Sequence, residues 1–240
     1  MKTLFPAMVY RPESRKIVAT FLCWLFSFVA VPFLMPVALY VVPQKSVGYA
    51  WIELAFHLIN CVFMLCIHWD YLGDAWVELK VRWRQCWIII LVCAAVIWFL
   101  SDLLALVLGS VKLLYALPVT EAQLLLFPAE LMYLLPVPGL LCHVLMAPLT
   151  VSCMIYAVCF APGACSRHPW VGYLLLVILA AVPRLASTTF SYVDIRYLLS
   201  WYAAQLPAHL ICCWAFQKTD NVLVPAGILA IINLVGSTLV

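Results

Sequence analysis

Glu53, His57 and Asn60 repeat at i, i+4 and i+7 inside an apolar stretch, which sets a carboxylate, an imidazole and an amide on one face of a helix. A carboxylate one turn from an imidazole can share a proton with it, serve as a hydrogen-bonded packing pair, or supply two ligands to a metal ion. Two ligands do not complete a metal site, and no further ones can be identified from the sequence, so neither a metal nor a cofactor is expected. Asp102, His143 and His209 are single polar residues of the same kind in other apolar stretches. Burying such groups in lipid is costly, and they usually face a bundle interior or a wet cavity, so each is a candidate for a functional polar pocket.

The elements that must position these residues follow from composition. With 68% hydrophobic and 10% charged residues and a mean hydropathy of +1.11, the chain departs far from a soluble domain, which carries roughly 45–50% apolar and about 25% charged residues. The fold class expected is all-α: a single polytopic membrane domain over residues 1–240. Apolar runs of the length that crosses a bilayer give seven spans: Ile17–Val42, Val47–Trp69, Trp87–Gly109, Val137–Ala161, Trp170–Ser187, Ile195–Phe216 and Val222–Leu239. Leu113–Pro136, interrupted by Pro118, Pro128, Glu121 and Glu130, is either an eighth, broken span or a re-entrant segment. No barrel-type alternation is visible, so helices must satisfy the backbone in lipid. The first run is too long for a cleavable secretory signal and lacks a small-residue cleavage site.

Basic residues orient the spans. Arg11, Arg15 and Lys16 precede the first, Lys80, Arg82 and Arg84 separate the second from the third, Arg167 follows the fourth, and Lys218 follows the sixth. Seven spans put all four clusters on one side, which the positive-inside rule makes cytoplasmic, together with the N-terminus. The other side carries Lys45, Lys112 and whichever of Arg184 and Arg196 emerges there. The net charge of +3 is therefore a topology signal. No basic run or stripe points to nucleic acid.

Asp70–Cys86 threads Trp76 and Trp83 between Trp69 and Trp87 among Asp74, Glu78, Lys80, Arg82 and Arg84, as suits a headgroup layer. It reads as an amphipathic interfacial helix or loop that anchors to lipid, with Glu78 and Arg82 in i,i+4 support. The eleven cysteines form no C-x-x-C pair and lie mostly within the spans, where a thiol behaves as a small hydrophobe. Neither zinc nor a disulfide framework is expected.

Lys218-Thr219-Asp220-Asn221-Val222-Leu223-Val224-Pro225 runs into a helix that carries Leu229 and Asn233. This resembles the last signature of the CPBP intramembrane endopeptidases, the CAAX-processing and bacteriocin-immunity family, in which a polar loop and a proline open a helix bearing His-x-x-x-Asn. Asn233 matches the asparagine, and Leu229 stands in place of the histidine. Upstream, Pro148 and the residues after it resemble the family's first motif, a proline followed three residues later by Glu-Glu-x-x-x-Arg. Val151 and Ser152 occupy the glutamate positions and Tyr156 the arginine position. For the middle motif, Phe-x-x-x-His, two registers are open, Phe190 to Asp194 and Val182 to Ala186, and neither offers a histidine. The resemblance covers 137–240. It implies a bacterial plasma-membrane protein with several spans, and a peptide or a membrane protein as partner beside the lipid bilayer.

Peptide hydrolysis in a bilayer needs a base for water and donors for the developing oxyanion. Valine and leucine exchange no proton, and Ser152 as a nucleophile would need its own base. His143, nine residues earlier, is about 13 Å away along an ideal helix. Three readings therefore compete. The first is a CPBP-like protein that has lost its peptidase chemistry and acts by binding. The second is an active protease with a displaced site drawn from Glu121, Glu130, His143, Asp194 and His209. The third is a small ion-coupled transporter using Glu53, His57 and Asp102, although no internal repeat marks a transport core.

Overall fold

The computed structural model describes residues 10, 13–23, 26, 42, 46–111, 133–166, 168–178 and 195–238, with side chains for all but 105–111, 195–205 and 237–238. No strand occurs among them. The helical segments are α1 (14–23), α2 (Val47–Val81), α3 (Trp83–Val111), α4 (the continuous run Pro136–Ala164), α5 (170–178), α6 (Ile195–Thr219) and α7 (Leu223–Thr238). Three are long and apolar enough to cross a membrane: Val47–Val81, Trp83–Leu104 and Pro136–Ala164. On α2 and α3 the apolar residues Leu58, Ile59, Val62, Phe63, Ile88, Leu91, Val92 and Phe99 face outward. An outward apolar face on so long a helix is what lipid contact demands, and the chain reads as a helical membrane protein.

The second span is expected to end at Trp69 and an interfacial helix or loop to follow; the helix kinks at His68 (φ −108°, ψ 16°) and continues to Val81, which selects the helix. Ala75, Glu78, Leu79 and Lys80 are good helix formers, and Arg82 closes the end with a 3.0 Å ion pair to Glu78. Its backbone N–H bonds back to the Glu78 carbonyl, and α3 starts at the next residue. The stretch Asp70–Val81 is thus helix, with Trp69 and Trp76 exposed along it. At the other terminus the Ser46 hydroxyl caps α2 by accepting from the Tyr49 N–H.

Long-range contacts fix the direction of each helix. Ala50 and Leu54 at the start of α2 cluster with Leu135 and Cys142 at the start of α4. At the opposite end Tyr10 meets Asp220 between α6 and α7 and receives a bond from Cys165 just past α4, while Asn221 bonds Ala75 near the end of α2. Helices α2, α4 and α6 therefore run toward the end that holds Lys80, Arg82, Arg84 and Lys218, and α7 starts there. Lys16 of α1 reaches the same end, 3.9 Å from Asp70. Helix α3 leaves this end beside α7, Ile90 lying against Gly227. Residues 113–132 of the Leu113–Pro136 segment fall outside the described residues, as do Lys45, Lys112, Glu121, Arg167 and Arg184.

Helix α7 is packed by α2, α3, α4 and α6, so it sits at the centre of the bundle. Its Ile228, Leu229 and Ile232 join Val151, Met154, Ile155 and Phe160 of α4 and Phe216 of α6 in one core. Helix α5 lies so close to α4 that a Cβ on Gly163 would stand 2.7 Å from the Gly172 Cα, and one on Gly172 2.8 Å from the Phe160 carbonyl oxygen. Only glycine permits that approach.

Candidate functional site

Prolines shape the helix that carries most candidate residues. Helix α4 contains Pro148 and Pro162 in its interior, and each follows a stretch of wider i→i+5 turns, Cys142–Met146 and Ser152–Phe160. A proline within a helix lacks the N–H that the turn requires and presses its ring on the carbonyl four residues back. Widening the turns ahead of it relieves the clash. The cost falls on a carbonyl. In the wide register the Ala147 N–H bonds Cys142 O, so His143 O should receive from residue 148, which is proline and has nothing to donate. Asn233 supplies the missing donor from α7: its Nδ2 lies 2.7 Å from His143 O, and the bond is buried. A buried carbonyl must be paired, and this one is paired by a residue 90 positions away.

The other motif positions surround this clamp. Val151 and Leu229 are buried in the common core. Ser152 is fully buried, and its Oγ has no hydrogen-bond partner. Tyr156, in the arginine position, is also fully buried, and its hydroxyl shares a 2.8 Å hydrogen bond with His209 Nδ1 of α6. The His209 imidazole is therefore engaged by Tyr156, one helical turn along α4 from the serine. Among the described residues no base stands within hydrogen-bond distance of Ser152 Oγ, and they form no nucleophile–base contact of the serine-hydrolase kind there. Asn233 Oδ1, on the far side of the amide from the clamp, is likewise buried without a partner.

On α2 the face predicted from spacing is partly inward. His57 and Asn60 are buried, and His57 is near enough to His143 for the two rings to interact electrostatically. Glu53 is half-buried and accepts a 2.8 Å hydrogen bond from the Tyr49 hydroxyl, one turn toward the start of the helix. Asp102 is exposed on α3. Glu130, Asp194 and both registers of the middle motif lie outside the described residues. Among the described residues no group of three or more His, Cys, Asp and Glu is placed to hold a metal ion.

A second polar layer closes the basic end of the bundle. Asp220 ends α6 in the left-handed region (φ 53°), a conformation that aspartate tolerates better than most side chains, and its N–H bonds the Phe216 carbonyl. Asn221 follows and does two jobs. Its Oδ1 accepts from the Leu223 N–H at 3.0 Å, capping α7, while its Nδ2 donates to Ala75 O of α2 at 2.7 Å. Thr219 Oγ donates to Ala215 O, and the Tyr173 hydroxyl to Gln217 Oε1. Tyr10 docks on this layer through its backbone and its ring. Sequence reading singled out the 218–225 loop, but not Tyr10, Tyr71 or Cys165. The consecutive Asp-Asn between two helices is the one local sign of an αL stop and a cap; the partners 146 and 210 residues away leave no local sign.

Searches against protein-family models, curated proteins and solved structures found no match to this chain.

Proposed function

We propose that this chain is a CPBP-like integral membrane protein that has lost peptidase chemistry and acts by binding a peptide, a lipid or a protein partner. One observation carries the reading. The Asn233–His143 clamp joins the two helices that bear the resembling motifs, in a core where Val151 and Leu229 are buried and Ser152 has no hydrogen-bonding base. The scaffold elements of the resemblance, Pro148, Asn233 and the polar loop before Pro225, each have a packing role, while the positions of proton traffic hold groups unable to exchange a proton near neutral pH. Tyr156 supports the same view, since it ties α4 to α6 through His209 and leaves no imidazole at the serine. The proposed setting is a bacterial plasma membrane crossed seven times, with the basic end of the bundle and the N-terminus in the cytoplasm.

The test is reconstitution of the purified chain in liposomes with a panel of fluorogenic peptides. No turnover is expected from the wild-type chain. Specific turnover that disappears on Ser152→Ala or His209→Ala, or on Glu130→Gln, would overturn the reading and favour a displaced active site. Maleimide labelling of introduced cysteines checks the orientation: positions beside Arg82 and Arg167 should react from the cytoplasmic face and one beside Lys45 from the other.

A further inference from the structure

Tyr10 is held as a bound ligand would be held. Its N–H donates to both carboxylate oxygens of Asp220, at 3.2 and 3.0 Å, and its carbonyl accepts from the Cys165 thiol at 2.9 Å. Its ring stacks on Tyr71, with centroids 3.8 Å apart and planes 20° from parallel, and leans on Phe216 at 6.4 Å. These groups come from α2, the end of α4, the end of α6 and the loop before α7, so the bundle supplies every group that holds Tyr10. Grasping both the N–H and the C=O of one residue while stacking its ring is how a protein reads an extended peptide with one aromatic side chain.

The fit has a flaw that points to the preferred ligand. The Tyr10 hydroxyl oxygen is buried and has no hydrogen-bond partner. A buried donor left unpaired is costly, and a phenyl ring would keep the stack without that cost.

We infer that the basic end of the bundle carries a binding cleft for an extended peptide bearing a phenylalanine-like residue, and that Tyr10 occupies it in cis as a displaceable tethered ligand. The inference is independent of the lost peptidase chemistry, because none of Tyr10, Tyr71, Cys165, Phe216 and Asp220 stands where the resembling family keeps its acid, base or arginine. A peptide that outcompetes Tyr10 frees the Cys165 thiol from the Tyr10 carbonyl.

The experiment follows that thiol in the full-length chain in detergent, with maleimide labelling of each native cysteine quantified by peptide mass spectrometry. Tyr10→Ala should speed labelling of Cys165 by about tenfold and Asp220→Asn by about threefold, as local opening does, while Cys212 and Cys213 in the core stay protected. Tyr10→Phe should leave Cys165 at least as protected as in the wild type. A synthetic peptide of residues 6–14 with phenylalanine in place of Tyr10 should restore protection to the Tyr10→Ala chain saturably, and the same peptide with alanine should not. Unchanged Cys165 labelling in both variants overturns the proposal. So does labelling that spreads equally to Cys212 and Cys213 in both, or equal protection by the alanine peptide.

Discussion

The middle of the bundle and its basic end solve the same problem in different ways. Both contain polar groups withdrawn from water, and both bridge helices distant in sequence. In the middle, each bridge is a single bond between two elements: Asn233 to His143, Tyr156 to His209. Two polar atoms there, Ser152 Oγ and Asn233 Oδ1, are buried without partners. At the end, Asn221 bonds two elements at once and Asp220 grips a third, so capping and tertiary contact reinforce one another. The end layer also buries the Tyr10 hydroxyl without a partner, so the difference lies in how many elements each residue joins: the end layer ties several helices at one point, while the middle joins them in pairs.

That contrast predicts an order of effects. Gly163→Val drives a side chain into the backbone of α5 and should cost more than about 3 kcal/mol, because backbone cannot yield as a side-chain tip does. Thermal unfolding in detergent measures it; a small loss would mean that α5 does not seat on α4 as described. Asn221→Ala removes a cap and a buried tertiary bond together and should cost about 2 kcal/mol. Asn233→Ala strands only the His143 carbonyl and should cost about 1 kcal/mol, in the range of single interhelical bonds in membranes. If the Asn233 loss exceeds the Asn221 loss, the two regions have been ranked in the wrong order.

Smaller effects sharpen the comparison. Tyr156→Phe breaks the bond to His209 without changing the packing volume much, and a loss of up to about 1 kcal/mol is expected. Restoring the apolar balance with Tyr156→Phe and His209→Leu together should recover most of it, since the unpaired imidazole is then gone; a double-mutant cycle reports the coupling. Ser152→Ala should be neutral or stabilise by up to about 1 kcal/mol, because its Oγ makes no bond to lose. Clear destabilisation by that variant would show that Ser152 has a partner after all, and would reopen the case for a working hydroxyl.

Much of the scaffold was legible from residues alone. Apolar runs located α3, α4, α6 and α7 to within a few residues, because lipid admits few alternatives to a long apolar helix. Whether Asp70–Val81 is helix or loop could not be read from the sequence, because charges and tryptophans at a headgroup layer suit both. The polar face of Glu53, His57 and Asn60 could be placed on one side of a helix, but its bonding could not: Glu53 turns to Tyr49, and His57 lies near His143.

By itself the sequence determined that this chain is helical and suited to a bilayer, since composition and run length are local properties. It also determined that Pro148 offers no N–H; the wide turns then place the missing donor at His143 O, where an ordinary α-helix would place it at Val144 O. Only the tertiary structure decided that Asn233 gives it, that Tyr156 rather than Ser152 takes His209, and that Tyr10 lies against Asp220. These are choices among many possible partners made by how helices pack, and packing depends on shape complementarity across the whole bundle, which no local spacing encodes.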